Sequence, residues 1–586
     1  MKIFSRETEI DYDGDKLTEL WKLYQKGKDY QTSRGVFQKT DENYRNYNED
    51  QWYGVESGAV EPIAYNIIKP IVKYKVGTIN ANQFAIVYSA ENYDDEVFQK
   101  EADEVCKLLT KHVAKVYEKD YMDYKIRDIS KRACINSEGI LYFNKLDKDP
   151  SAEVLQKNNV YYADENNENI EEQPYIIISQ RVPLQLIRKK AKKEYELSDE
   201  EIRGILSDSD TTASSGDYGK YELDDKVTVL TMLYKKEGTV WIERATKQVV
   251  LTKAENTKLT RYPIAHFIWE QVEGSARGTG EVEQIIHNQR EINKNANRRA
   301  LAVKMGAYPV KVANIDKIKN PKDINKVGAT ITTEDYNVDD VRKIYGFVQP
   351  ATMSSDAYHL QEEMISNTRE LAGAGDIATG DINPERASGR SILAVQQASQ
   401  QPLTEQSSKL KMFIEDIGRI YLDMYQVYNA KDGLTVLEEK EEQVMNEFGE
   451  AETKTVLVPK KIPGTVLTKL KASVKVDVTP KSAYDKYATE QILENYFLQG
   501  VITLEEYVKA LPDDSIAPKN KLKEIVENRK KEQAKIQQIE KASIAMQQQM
   551  NNYIAENEKI NEIDNEGQEL VNQLQGNQNT QEATAM

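Results

Sequence analysis

Apolar positions recur most regularly between residues 354 and 428. Leu360, Met364, Thr368 and Leu371 are spaced by threes and fours, which predicts a helix face that stops at Gly373, a residue suited to a left-handed cap. Further on, Leu410, Ile414, Ile417, Tyr421, Met424 and Tyr428 repeat that spacing, widened by Phe413, Ile420 and Val427, as a helix buried along one side would. Between Ala372 and Gly389, four glycines and Pro384 exclude regular structure. The pattern is two helical rods with a loop held between them.

Upstream, Leu17, Leu20, Trp21 and Tyr24 predict a short amphipathic helix over 15–30. Ile67, Ile71 and Tyr74 predict another, with Pro70 in its body or at a junction, followed by the strand QFAIVYS. A helix is expected over 97–130, and CINSEGILYFNKL reads as a turn opening a strand. The segments PYIIISQRVP, KVTVLTMLYKK, TVWIERAT and VVLTK carry β-branched and aromatic residues between turn signals, with SDSDTTASSGDYG as an inserted loop. Together these predict an α+β domain ending near Glu270.

Helical periodicity returns at GSARGTGEVEQIIHNQREINKNANRRALAVKMGAYP, where Val282, Ile285, Gln289, Ile292, Ala296 and Val303 sketch a packed face. Arg290, Lys294 and Arg298 lie four apart and share another face. Such a stripe can meet a phosphate backbone; more commonly it is solvated or paired with acids. Residues 306–350 form a small island with YPVKVA and ATITT as strands and seven basic against six acidic residues. It is too small to hold a large core alone and is expected to pack against copies of itself.

After the long helix, KTVLVP and ASVKVDVTP are strands, residues 484–511 are helices, and Thr503 with Glu506 fits a capping box closed by Pro512. A polar helix begins at Lys519. From Ala542 on there are seven acids against one lysine, a composition that predicts a disordered tail.

Composition narrows the chemistry. A chain of 586 residues holds several domains' worth of sequence, and a net charge of −17 argues against a broadly basic surface wrapped by nucleic acid. The two cysteines, Cys106 and Cys134, make no disulfide framework, and no His/Cys cluster has zinc spacing, so neither metal nor cofactor is expected. No apolar run reaches the length of a membrane span and none opens the chain as a signal peptide would, so neither export nor membrane insertion is expected. The DYDGD stretch fails as an EF-hand loop because Gly14 is fourth rather than sixth, and SSGDYGKY fails as a P-loop because Ser214 and Tyr221 stand where Gly and Ser/Thr belong. His112, His266, His287 and His359 are scattered, so no local base is visible and no enzyme is expected.

Four stretches carry a resemblance: YNIIKPIVKYKVG, ARGTGEVEQIIHNQREINK, GDINPERASGRSIL and GVITLEEYVKALP. In succession and spacing the chain resembles the portal proteins of tailed bacteriophages, rings at one capsid vertex through which DNA is packaged and ejected. The resemblance implies an α+β portal fold. Its wing would occupy 1–270, a stem helix 271–305, a small α/β clip 306–350, a second stem helix 351–372, and a tunnel loop 373–389. A long kinked helix with wing completion would occupy 390–480, a helical crown 481–550 and the acidic tail 551–586. It places Arg290, Lys294 and Arg298 on the DNA channel, with pairing between subunits as the alternative, Asp376, Asp381, Glu385, Arg386 and Arg390 in or beside the tunnel loop, and Lys317, Lys319, Lys322 and Lys326 on the partner-binding clip. Pro402 would kink the long helix by removing a donor and crowding the carbonyl of Ala398. The implied partners are further copies in a dodecameric ring, sequence-neutral double-stranded DNA, the terminase motor that hydrolyses ATP, a head-completion or tail adaptor, and the major capsid and scaffolding proteins. The implied location is the portal vertex of the virion, after assembly in the bacterial host cytoplasm. The competing reading, a non-viral helical scaffold, leaves the island between two rods and the broken loop unexplained.

Overall fold

The structure is a computed structural model. It describes residues 16–54, 61–146, 149–208, 225–308, 310–326, 328–334, 340–348, 356–375, 401–445, 451–480, 492–511 and short helical pieces within 519–571. The chain divides into two units, Met1–Thr479 and Pro480–Met586.

The first unit opens with α1 (Lys16–Ser33), α2 (Val36–Tyr47) and α3 (Ile68–Ile79). Pro70 lies in the first turn of α3, where its missing N–H would have had no helical acceptor, so the helix forms intact. Strand β1 (Asn82–Ala90) precedes α4 (Glu96–Lys119) and α5 (Met122–Asn136). The single helix expected over 97–130 is thus two. They break at Tyr121, which adopts a left-handed φ of 52°, and α5 runs on through Cys134 to end at Ser137 with φ 84°.

The strands follow as β2 (Glu138–Leu146), β3 (Asp149–Leu155), β4 (Val160–Tyr162) and β5 (Tyr175–Pro183); then, after α6 (Leu184–Lys193) and α7 (Asp199–Gly204), as β6 (Lys226–Lys236), β7 (Thr239–Ala245), β8 (Val250–Asn256) and β9 (Ile264–Ile268). They form an antiparallel sheet in the order β3-β2-β9 and a meander in the order β4-β5-β6-β7-β8. The period of two divides the meander's side chains between its faces. Ile177, Leu230 and Met232 meet Leu20 and Tyr24 of α1, while Ile176, Ile178 and Leu233 join the main core. Both faces being covered, β6 is buried almost throughout, which is why KVTVLTMLYKK shows no polar alternation.

Helix α8 (Glu281–Ala307) leads out to the antiparallel pair β10 (Val310–Ala313) and β11 (Tyr345–Val348), and α9 (Asp356–Leu371) leads back. The strand expected at ATITT is instead a single bridge between Ile318 and Thr333, and Tyr345–Val348 supplies the partner of β10. The four-residue strands leave the island's apolar side chains exposed; Ile318 and Ile344 are its buried ones among the described residues. On α9 the expected stripe is displaced by one position at its two ends. Leu360 and Leu371 are 48% and 81% exposed, while Gln361 and Ala372 are buried; Thr368, between them, is buried as expected.

The long helix α10 (Thr404–Tyr428) passes through the main core with Leu410, Phe413, Ile414, Ile417, Ile420, Tyr421, Met424 and Tyr425 buried. Its N-terminus is preceded by a 3₁₀ turn, Gln401–Leu403, so Pro402 sits ahead of the described helix rather than within it. Asp423 accepts hydrogen bonds from Thr260 N (2.9 Å) and Arg261 N (3.1 Å), tying the helix to the chain entering β9. The hairpin β12 (Leu434–Met445) and β13 (Ala451–Ile462), the turn helix α11 (Gly464–Lys469) and β14 (Ala472–Pro480) follow, and β14 pairs with β1. Sequence-distant strands QFAIVYS and ASVKVDVTP therefore close on each other beside α10. In the second unit residues 492–498 are helical, and α12 (Leu504–Ala510) carries the expected capping box, Thr503 N donating to Glu506 Oε2 at 2.9 Å. Pro512 lies outside the described residues.

Gly418 marks where α10 crosses the β1–β14 pair. A Cβ there would lie 2.6 Å from Val474 Cγ1 and 2.8 Å from Ile86 Cγ2, and Tyr88 OH donates to the Gly418 carbonyl at 2.8 Å. An unhindered helical Gly→Ala change gains up to about 1 kcal/mol. Gly418→Ala is expected to lose about 1–3 kcal/mol instead, from overpacking, as a lowered urea or thermal midpoint.

Candidate functional site

The expected site centres on α8 and α9, and the residues just before α8 set where those helices start. Gly278 and Gly280 pass through gaps with no room for a side chain: a Cβ would fall 2.2 Å from the Glu270 carbonyl oxygen at the first, and 2.8 Å from Ser137 N at the second. Between them and β9, Arg277 turns into the body and is buried. Its Nη1 donates to Glu138 Oε1 (2.7 Å), its Nε to Glu165 Oε2 (2.8 Å) and its Nη2 to the Val160 carbonyl (2.8 Å), while the guanidinium stacks 5.0 Å from the Tyr162 ring centroid. His266 Nε2 lies 2.7 Å from Glu138 Oε2; an ionised carboxylate only accepts, so that nitrogen carries the proton. Burial opposes the Glu138 charge, but Arg277, His266 and Lys157 outweigh it and hold the carboxyl at about 2. Burial pulls Lys157 down to about 8 against the pull of Glu138.

Helix α8 is then held along its length by its own side-chain amides. Gln289 Oε1 accepts from Ile67 N (3.0 Å), Asn293 Oδ1 from Tyr65 N (3.0 Å), and Asn297 Oδ1 from Ile63 N (2.9 Å). Gln289 Nε2 donates to the Tyr65 carbonyl (2.6 Å), and Asn293 Nδ2 to Gln51 Oε1 (2.6 Å). Four helical residues rise about 6 Å and two extended residues about 6.6 Å, so amides at every fourth position match alternate residues of the extended segment 61–67. The ladder thus joins two of the stretches that carry the portal resemblance, YNIIKPIVKYKVG and ARGTGEVEQIIHNQREINK. Near its lower end Lys75 and Glu281 form a buried ion pair at 2.7 Å.

The two helices pack antiparallel. Asn288 Nδ2 donates to Thr368 Oγ1 (3.3 Å), Asn295 Nδ2 lies 3.3 Å from Met364 Sδ, and Arg299 bonds Gln361. Val282, Ile285, Gln289, Ile292 and Ala296 are buried as expected, whereas Val303, expected in the packed face, is 64% exposed, beyond Asn297, where the buried residues of α8 end.

The structure brings the basic stripe onto one accessible face, with each member already engaged. Arg290 pairs with Glu42 of α2, Lys294 with Glu291 at 2.6 Å, and Arg298 donates to Asn295 Oδ1 at 3.0 Å. Lys317, Lys319, Lys322 and Lys326 are all exposed on the island, Lys326 pairing with Asp323 at 2.8 Å. Asp376, Asp381, Glu385, Arg386 and Arg390 lie outside the described residues. Among the described residues no cluster of acids, histidines and cysteines could hold a metal ion. Sequence reasoning misses the Arg277 cluster and the amide ladder. It places Gln289 within the apolar stripe, whereas the recurrence of Gln289, Asn293 and Asn297 at every fourth position is the signal that could have found the ladder.

A family model described as "Phage P22-like portal protein" matches residues 235–586, which takes in α8, the island, α9, α10 and everything after them. The chain belongs to that family. Its role is accordingly that of a portal, and its fold is α+β. Two solved structures are similar to this portal-family chain. One, titled "Virion of native gene transfer agent (GTA) particle", shares 9% identity at TM-score 0.31, covering 76% of this chain and 89% of that one. The other, titled "Neck of empty GTA particle computed with C6 symmetry", shares 9% identity at TM-score 0.34, covering 78% and 97%. No curated protein matches the chain.

Two outcomes follow from the anchorage of α8. Asn293→Ala strands the Tyr65 N–H and the Gln51 amide, so unfolding free energy falls by about 1–3 kcal/mol and amide exchange at Ile63–Ile67 accelerates; unaltered exchange would show that the ladder holds nothing. Because the folded-state pKa of Glu138 is depressed, its stabilisation is full above its ordinary pKa of 4.5 and drains away as pH falls towards about 2. Glu138→Gln therefore costs about 3–5 kcal/mol at neutral pH and leaves a shallower acid limb in a pH series of urea melts.

Proposed function

We propose that the chain forms a homo-oligomeric ring, a dodecamer, at one vertex of a virion, with α8 and α9 as stem helices around an axial passage for double-stranded DNA. The observation that carries this reading is the portal-family match across the two antiparallel helices and the island between them. In a ring each exposed side chain becomes a circle of identical groups. A passage must attract the duplex enough to admit it and weakly enough to let it slide. The pairing of Arg290 with Glu42 and of Lys294 with Glu291 supports such a lining, since each cation carries its own neutralising acid. Contacts of this kind read phosphate and shape, not bases.

Exposed apolar residues support contact between copies. Tyr308, Val310, Val312, Phe347 and Val348 of the island lie outside any core of the single chain. The island is the clip in this reading, and its exposed Lys317, Lys319, Lys322 and Lys326 are docking positions for the terminase motor and the tail adaptor. Residues 373–389 are the tunnel loop with Asp376, Asp381, Glu385, Arg386 and Arg390 at the constriction, Pro402 turns the chain into the long helix, and 481–550 form the crown. The body, with β14 closing on β1, is the wing. ATP hydrolysis belongs to the motor, and capsid and scaffolding proteins are the remaining neighbours in the host cytoplasm.

Electron microscopy of the purified protein is expected to show annular particles with an axial hole; α8 and α9 of neighbouring copies packed into a closed bundle would sink the conduit. Neutralising Arg290, Lys294 and Arg298 together is expected to change DNA retention while shifting stability by only about 1 kcal/mol, their partners Glu42, Glu291 and Asn295 being half-buried and open to solvent screening. Retention equal to the parent's would remove them from the lining.

A further inference from the structure

Helix α6 carries a cationic face that the portal reading leaves without a role. Its sequence, LQLIRKKAKK, places five basic residues between Arg188 and Lys193 in a chain of net charge −17. Ile187 and Ala191 are buried in a small core of their own with Ile205, Val227, Val229 and Leu251, and Arg188 Nη2 donates to the Ile205 carbonyl at 2.7 Å. The helix is thereby fixed in rotation. At about 100° per residue, Lys189 and Lys193 point directly away from that core, with Lys190 and Lys192 on either side.

All four lysines are exposed. Lys192 reaches Asp199 at 3.4 Å, a pair open to solvent on both sides. Among the described residues no ion pair or hydrogen bond involves the side chains of Lys189, Lys190 or Lys193. Their position in the last two turns gains something from the helix dipole, and Glu194, Glu196 and the acidic first turn of α7 follow closely, but three lysines without a direct ion pair at spacings of one, three and four repel each other at comparable cost. Folding alone does not account for the cluster.

We propose that the exposed face of α6 is a second binding surface for nucleic acid, holding the phosphate backbone of duplex DNA without regard to sequence. The chemistry favours phosphate over an acidic protein surface. The face carries Gln185, Leu186 (46% exposed) and four lysines on flexible stems, point charges that suit irregular phosphate positions, and one exposed leucine does not supply the aromatic and arginine anchors on which protein interfaces depend. Within an acidic chain of net charge −17, such a cluster is a local exception. The proposal does not rest on the α8 stripe.

The test is fluorescence anisotropy of the full-length protein with a short labelled random-sequence duplex across a salt series. It compares the parent, Lys189→Gln/Lys190→Gln/Lys193→Gln, and Arg290→Gln/Lys294→Gln/Arg298→Gln. Every phosphate left unneutralised lowers the slope of log affinity against log salt by about 0.9, so the α6 variant is expected to bind duplexes of any sequence more weakly, with a slope shallower by about 3 and an unchanged circular dichroism spectrum. Parental affinity and slope in the α6 variant overturn the proposal, whatever the stripe variant does; a change confined to the stripe variant overturns it while leaving the conduit reading intact. Loss of binding to labelled poly-glutamate with duplex binding retained also overturns it, in favour of an acidic protein partner.

Discussion

The structure depends on how firmly one helix is held at an angle to a folded body. Helix α8 must leave the body and remain oriented along a stretch where apolar packing covers only its lower half. Two devices do this. Arg277 plugs the preceding turn into buried carboxylates, and Gln289, Asn293 and Asn297 grip the backbone of residues 63–67. A buried amide that misses its partner costs more than a mispacked methyl, so the ladder tolerates one register between helix and strand where apolar packing would tolerate several.

That rigidity has an electrostatic counterpart. A helix fixed in rotation presents the same charges in every copy, and Glu42 and Glu291 temper the Arg290 and Lys294 cations before any partner arrives. Helix α10 contributes from the other side. It is buried along most of its length, tied by Asp423 to the entry of β9 and pinched at Gly418 by β1 and β14, so the chain upstream of Thr404 emerges from a fixed point.

Much of the secondary structure is legible in the sequence where one face is buried and the other wet. The α10 stripe, the amphipathic α1 and the strands of the meander all show the period their environment imposes. Periodicity misleads where two helices meet through polar groups. Leu360, Leu371 and Val303 have helical spacing yet stand exposed, while Gln361 is buried beside the expected Thr368 because α9 meets α8 through polar side chains. The break at Tyr121 carries no glycine or proline, so nothing local announces it.

Most elements and their order are written in the periodicity, because it records which side of each helix or strand faces away from water, and the succession of ARGTGEVEQ, the island and the long helix carries the family; the break at Tyr121 and the strand Tyr345–Val348 are not written there. Which distant segments meet is a property of the fold. That β14 closes on β1, that Arg277 and His266 share Glu138, and that residues 63–67 lie along α8 are pairings between positions far apart in the chain. Hydrogen-bonding groups look alike in any sequence; their partners are chosen by where the fold places them.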